Sequence, residues 1–376
     1  MRRKNISNRL TFRVFLLLIC CMFAGVTYAN EPENSEKVAG EEKEFNAGEM
    51  IIDHIVDAHE WHIATLGHTH VAIPLPVILI DDGKIITFMS SRFHHGTEAY
   101  NGYRLMMEGK SKGRIVKVLD DGVTVDEAAG QPLDFSITKN VVSIFISVIL
   151  LCLVFISIAR RYKKHPGAPK GLQSMLEPLI LFVRDDIARP AIGEKKYQKY
   201  MVFLLTVFFF IFFTNLLGLI PFMPGGANVT GNIAVTMVLA LFTFVITSVS
   251  GNKNYWKHII NAPGVPWWLK FPLPLMPIVE IIGVITKPFV LMVRLFANMM
   301  AGHIIALGFI SLIFIFSAMN PWGASISIVS IIFYIFMGLL ELLVAFIQAY
   351  VFTLLSALYF GMATEEHHAP EGEHTH

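Results

Sequence analysis

Charge is scarce in this chain. Asp, Glu, Lys and Arg make up 16% of its 376 residues, against 54% hydrophobic, where a soluble domain carries about 25% charged residues. An ordinary soluble fold is excluded, and several apolar spans are expected. An excess of one sign is also missing. Thirty basic and 29 acidic residues leave a formal net charge of +1, so nothing in the total points to nucleic acid. Cysteine is nearly absent. Cys20 and Cys21 fall at the start, and Cys152 lies in an apolar run, so no disulfide framework exists. The zinc-protease spacing His-Glu-x-x-His is lacking too. His59-Glu60-x-His62 brings the second histidine one residue early, which argues against an intramembrane metalloprotease. With His54, His68 and His70 this stretch still holds five histidines. Solvated or hydrogen-bonded residues are the main reading, beside a proton-collecting surface or a weak metal site. No metal ligand set and no cofactor is assigned.

The first 29 residues have the form of a secretory signal. Arg2, Arg3, Lys4, Arg9 and Arg13 precede an apolar core over 14–26, and Ala29 offers a small residue for cleavage. An uncleaved anchor helix is the alternative. Residues 30–48 form a polar, acidic linker. Up to residue 135 the pattern is mixed. Ile51, Ile52, Ile55, Val56 and His59 fall at helical spacing. Two apolar runs meet at Asp81-Asp82-Gly83, as in a β-hairpin, and "RIVKVLDDGVTV" repeats that pattern. The region 30–135 is expected to be a small, partly β, exported domain behind its linker.

The membrane domain is placed at 136–364, with helices over about 139–160, 200–222, 231–251, 277–319 and 324–362. A further amphipathic helix over about 172–190 is expected on the cytoplasmic surface. Arg160, Arg161, Lys163 and Lys164 follow the first span. By the positive-inside rule that end is cytoplasmic and the N-terminal region lies outside. The fold class is therefore an all-α polytopic membrane protein of about five membrane helices, preceded by the partly β domain. Residues 365–376 form a His/Glu-rich cytoplasmic tail. The last two apolar stretches, of some 40 residues, imply helices of roughly 60 Å, twice the hydrocarbon thickness of about 30 Å. Either each is broken, or both are steeply tilted as a hairpin, and the scarcity of Gly and Pro favours tilt.

Ionisable residues in these two stretches are few: Glu280, Lys287, Arg294, His303 and Glu341. Such groups are costly in a membrane and mark function. Arg294 is the only Asp, Glu, Lys or Arg between Lys287 and Glu341. Residues 280, 287 and 294 recur every seven and stack on one face, which Asn298 joins four residues on. His303 falls nine residues beyond Arg294, half a turn round at about 100° per residue. Glu341 and Gln348 share a face of the last helix. A permanent cation on one side and a group titrating near neutrality on the other suit a divided proton path. A structural ion pair of Arg294 with Glu280 or Glu341 is the plain alternative. A secondary transporter with Arg294 binding an anionic substrate is the rival function, although neither internal repeats nor broken helices are seen.

"KPFVLMVRLFANMMAGH", "ELLVAFIQAYVFTLLSALYFGMA" and "FFTNLLGLIPF" resemble the subunit a family of F-type ATP synthases over about residues 136–366. The resemblance implies a stator subunit of the proton-translocating enzyme, with two half-channels and no nucleotide site of its own. Arg294 would be the essential arginine facing the carboxylates of the c-ring, with Asn298 beside it and Gln348 helping to position it. His303 and Glu341 would line the outer half-channel, in exchanged order relative to some members, and Glu280 would belong to the cytoplasmic side. The implied partners are the c-ring, the subunit b stalk, the F1 sector and the lipid bilayer. The implied location is a bacterial inner membrane, with a periplasmic N-terminal region and a cytoplasmic C-terminus. Protons are the expected ion.

Overall fold

A computed structural model describes residue 48 and residues 55–66, 69–107, 111–119, 121–126, 129–164, 169–220, 225–260, 275–317 and 323–365. The expected signal peptide, nearly all of the acidic linker, His54, His68, residues 320–322 and the tail from 366 onward lie outside the described residues.

The strands come first. β1 (Glu60–Leu66) pairs antiparallel with β2 (Thr69–Pro74). β3 (Pro76–Asp81) pairs with β4 (Lys84–Met89). The turn between them is Asp82-Gly83, with φ of 47° and 75°. Two left-handed residues suit a tight hairpin, and glycine carries the second without strain. β5 (Tyr103–Leu105) pairs with β6 (Ile115–Lys117), and β7 (Leu133–Asp134) adds to the free edge of β3. Val77, Leu79, Phe93, Tyr103, Leu105 and Ile115 form a small core.

One local reading of the sequence differs from this. The helical spacing that ends at His59 does not continue as a helix. Residues 56–59 are irregular and Glu60 opens β1. Asp57 explains the break, because its Oδ1 accepts from the Ala58 amide at 3.0 Å, a local bond that competes with helix. The second hairpin is present but short: beside the Val118–Val125 bridge the Leu119 amide donates to the Thr124 carbonyl at 2.9 Å and the Asp126 amide to the Lys117 carbonyl at 3.0 Å.

Asp57 also fastens the strands to the helices. It accepts from the Asn140 amide at 3.0 Å and the Thr138 hydroxyl at 2.7 Å, while the Lys139 amide donates to the Ala58 carbonyl at 2.9 Å. These bonds satisfy amides at the start of α1 (Lys139–Lys164). After it come α2 (Leu172–Phe182), a π-helical turn (Val183–Ala188) and α3 (Arg189–Ile192). Leu176, Val183, Ile187, Ala188 and Ile192 of this stretch are buried in the helical core. α4 (Tyr197–Gly218) follows, stopping shortly before Pro221. α5 (Ile233–Ser250) begins at Asn232, whose side chain accepts from the Ala234 amide at 2.9 Å. α6 (Lys253–Ile260), α7 (Leu275–Ser317) and α8 (Gly323–Thr364) complete the chain.

The protein is a polytopic helical membrane protein with a small strand-containing N-terminal region. Among the described residues four helices, α1, α4, α5 and residues 328–364 of α8, are long and apolar enough to cross a membrane. The expected count of about five includes α7, the helix that carries Glu280, Lys287 and Arg294. α7 and α8 are each continuous, 43 and 42 residues long. At about 1.5 Å per residue each exceeds 60 Å, so breakage is not how their length is accommodated.

α4 supplies a wall of aromatic rings. Phe208 and Phe212 meet Phe346 of α8, Phe209 meets Phe155 of α1, and Tyr200 stacks on Phe360. α5 packs differently, by small residues, three of them threonines. Thr236, Ala240, Thr243 and Thr247 are buried, and the Thr243 hydroxyl lies 3.3 Å from that of Ser356 on α8. The C-terminal end of α8 is tied down: the Thr364 carbonyl accepts from Lys196 Nζ at 2.7 Å and Asn252 Nδ2 at 3.1 Å.

Gly361 marks the closest helix approach. A Cβ there would collide with the Ala191 carbonyl, whereas one at Gly338 would meet nothing within 4 Å. Gly361→Ala should therefore lower the thermal stability of the purified protein. Gly338→Ala should hold or raise it, by up to about 1 kcal/mol of helix propensity. Differential scanning fluorimetry in detergent checks both signs.

Candidate functional site

The polar residues of α7 and α8 separate into two surroundings. His303 and Glu341 are brought together, with Nδ1 of His303 3.1 Å from Oε1 of Glu341. Both lie largely inside the helices. Two glycines make the room. A Cβ at Gly302 would stand 3.1 Å from Glu341 Oε1, and one at Gly218 of α4 would stand 3.6 Å from His303 Nε2 and 3.3 Å from the Ala227 carbonyl. The imidazole thus sits where α4, α7, α8 and the loop before α5 converge.

That loop and the last turn of α4 add polar groups which sequence reasoning missed. Asn215, Asn228 and Thr230 are buried. The Thr230 hydroxyl donates to Asn215 Oδ1 at 2.5 Å, and the Gly231 amide donates to Asn228 Oδ1 at 2.9 Å. The amide nitrogens of both asparagines are buried without a hydrogen-bond partner among the described residues. Native proteins leave few such donors unsatisfied unless water or a transported species serves them. The only hint in the sequence was "TNLLG" closing an apolar run, and neutral polar residues there are a weak signal.

Arg294 is in the opposite situation. It is exposed on the outside of α7, as is Asn298 one turn on. Val290, one turn before it, and the adjacent Val293 are also exposed. Among the described residues no carboxylate forms an ion pair with it. The structural ion pair weighed from sequence is therefore not the arrangement found, because Glu341 is engaged by His303. Gln348 is buried on α8 and makes no hydrogen bond to Arg294. The half-turn offset along α7 thus has a physical result, with the cation outside and the titratable pair inside.

Toward the N-terminal end of α7, Lys287 lies 5.7 Å from the centroid of the Tyr359 ring. Lys287, Thr247, Ser248, Tyr255 and Tyr359 line a small cleft. Glu280 is half-buried two turns before Lys287. Elsewhere, His59 is buried and its Nε2 lies 2.9 Å from Asp134 Oδ2. Among the described residues no group of three or more His, Cys, Asp or Glu is placed to hold a metal.

Comparison with known proteins decides the family. The model of the ATP synthase A chain matches residues 141–361. The chain belongs to this family. A second match, to a domain of unknown function, covers residues 50–135. ATP synthase subunit a 2 of Chlorobaculum tepidum is 47% identical over 253 residues, covering 65% of this chain and 68% of that protein. ATP synthase subunit a of Myxococcus xanthus is 47% identical over 251 residues, 65% of this chain and 78% of that protein. ATP synthase subunit a 2 of Prosthecochloris aestuarii is 44% identical over 285 residues, 71% and 84% of the two chains. This is a multi-pass membrane subunit of the stator of an F-type ATP synthase, and it works within that complex in proton transport and ATP synthesis.

Because His303 and Glu341 share one hydrogen bond in an apolar bundle, their contributions should couple. His303→Ala and Glu341→Gln should each slow proton flux through membranes stripped of the soluble sector. The double variant should be little slower than the worse single one, a coupling of about 0.5–3 kcal/mol. Fully additive losses would show that the two act separately.

Proposed function

We propose that Arg294 faces the membrane-buried carboxylates of the c-ring and separates two half-channels, so that protons cross only by riding the turning ring. The observation that carries this reading is the exposed guanidinium on the outside of a long, mostly apolar helix, with no carboxylate paired to it among the described residues. A charge at the centre of a bilayer costs at least about 2.5–3.5 kcal/mol. A partner presenting an exchangeable acid at that height offsets the cost, and a guanidinium is not deprotonated in proteins, so the charge persists.

The outer half-channel runs through Asn228, Thr230 and Asn215 to His303 and Glu341. Its support is the convergence of these residues at Gly218 and the two buried amide groups that need partners. The inner half-channel lies at the cleft of Lys287, Thr247, Ser248, Tyr255 and Tyr359, with Glu280 nearby. A ring carboxylate crosses lipid as the neutral acid, since burying its anion costs several kcal/mol. Opposite Arg294 the anion is favoured, and the proton leaves into one half-channel. Rotation then brings the next protonated site. Each proton delivers roughly 2.3 kcal/mol per ~100 mV of membrane potential. Asn298 flanks the arginine on the exposed side.

Sidedness follows from charge. Arg160, Arg161, Lys163 and Lys164 end α1, and Lys195, Lys196 and Lys199 precede or open α4. Lys196 also holds the end of α8. The positive-inside rule assigns that end, with the C-terminus, to the cytoplasm and the strands to the periplasm of a bacterial inner membrane. The c-ring, the subunit b stalk and, through the complex, the F1 sector are the partners. The rival transporter reading needs broken helices at its site, and α7 and α8 are continuous.

Arg294→Ala should leave the c-ring and F1 sector co-purifying with the chain while proton-driven ATP synthesis is lost. Arg294→Lys should also fail to restore normal coupling, because a desolvated ammonium surrenders its proton more readily. Reconstituted vesicles energised by a pH jump and a potassium potential give the readout. Normal synthesis by Arg294→Ala would refute the role.

A further inference from the structure

The outer face of the sheet β4-β3-β7 is nearly without polar side chains. Side chains alternate across a strand, and the register places residues of one face together. Ile80 stands between Ile85 and Leu133, Ile78 opposite Thr87, and Pro76 opposite Met89. The chain beyond β7 continues along β3: the Phe135 amide donates to the Ile78 carbonyl at 2.9 Å and the Ile137 amide to the Pro76 carbonyl at 3.0 Å. Phe135 and Ile137 thereby join the same face. Among these nine positions Thr87 alone is polar. Ile85 is 70% exposed, Leu133 62%, Phe135 61% and Met89 43%. The other face, with Val77 and Leu79, already has its core.

We propose that this face lies on the bilayer surface, with phospholipid as its partner. Continuity argues for lipid. Ile137 is two residues from the start of α1, about 7 Å of extended chain. α1 then exposes Phe145, Ile149 and Leu153 at four-residue spacing, along with Val148 and Ile156, the stripe expected to meet acyl chains. The face is also fixed relative to that helix. Asp57 holds Thr138 and the Asn140 amide, and the Lys139 amide bonds Ala58, so the sheet cannot swing freely from the end of the span. An apolar face of this extent left in water would invite association, whereas headgroup-level lipid begins where α1 does. The inference rests on α1 crossing the membrane and not on the proton path.

The test uses the whole ATP synthase reconstituted into phosphatidylcholine vesicles. Cys20, Cys21 and Cys152 are changed to Ser, and one cysteine is introduced at a time for a bimane label: Ile85→Cys, Leu133→Cys, Val123→Cys or Leu153→Cys. Val123 is exposed in the strand region but lies off this face. ATP-driven proton pumping verifies that each labelled complex is assembled. Labels at 85 and 133 should be quenched by a nitroxide on the upper acyl chain and largely lose quenching by aqueous iodide, with Val123 showing the reverse and Leu153 reporting lipid. Iodide quenching at 85 and 133 equal to that at 123 would overturn the proposal, as would shielding from both quenchers, the signature of a protein cover. Failure at 153 would remove the membrane assignment of α1 itself.

Discussion

A guanidinium cannot be left alone against hydrocarbon. It cannot give up its proton, and its five donors need acceptors. Arg294 nevertheless stands exposed on the outside of α7, with exposed Val290 one turn before it and Val293 beside it. Among the described residues no carboxylate meets this demand. The organisation of α7 and α8 makes sense once the missing acceptor belongs to another subunit, which fits a chain that belongs to the ATP synthase complex.

The rest of the membrane domain keeps that cation outside and its titratable partners inside. Helical geometry alone separates them, since nine residues turn α7 by half a revolution. Packing then fixes the inner side. Gly302 and Gly218 leave space for Glu341 and His303, and the phenylalanines of α4 close the apolar wall around α8. The small-residue face of α5 lets α5 approach α8 through Thr243 and Ser356. At the far end Lys196 and Asn252 both hold the last carbonyls of α8. The helix carrying Glu341 is thus anchored where it ends. Relays that pass protons over a few ångströms need such fixed positions.

Much of this was legible in the sequence for physical reasons. Long apolar runs, the basic cluster after the first span, and the spacing of 280, 287, 294 and 303 all depend on periodicity and charge. Both are written locally. The pairing of His303 with Glu341 was a candidate because each is rare in its surroundings. Asn215, Asn228 and Thr230 were missed because their meeting depends on a loop folding back over α4, a contact no periodicity encodes. The helical pattern before β1 misled because Asp57 spends its carboxylate on Ala58, Thr138 and Asn140, a tertiary bond set invisible in composition. Asp82-Gly83 was readable because the turn's backbone angles demand those residue types.

The most direct measurement is a density map of the intact membrane sector that resolves the Arg294 side chain. The account predicts its guanidinium directed out of α7 toward a carboxylate of the c-ring, with His303 and Glu341 still paired behind it. A guanidinium folded back onto Glu280 or Glu341, with the ring carboxylates meeting a different part of the chain, would contradict it.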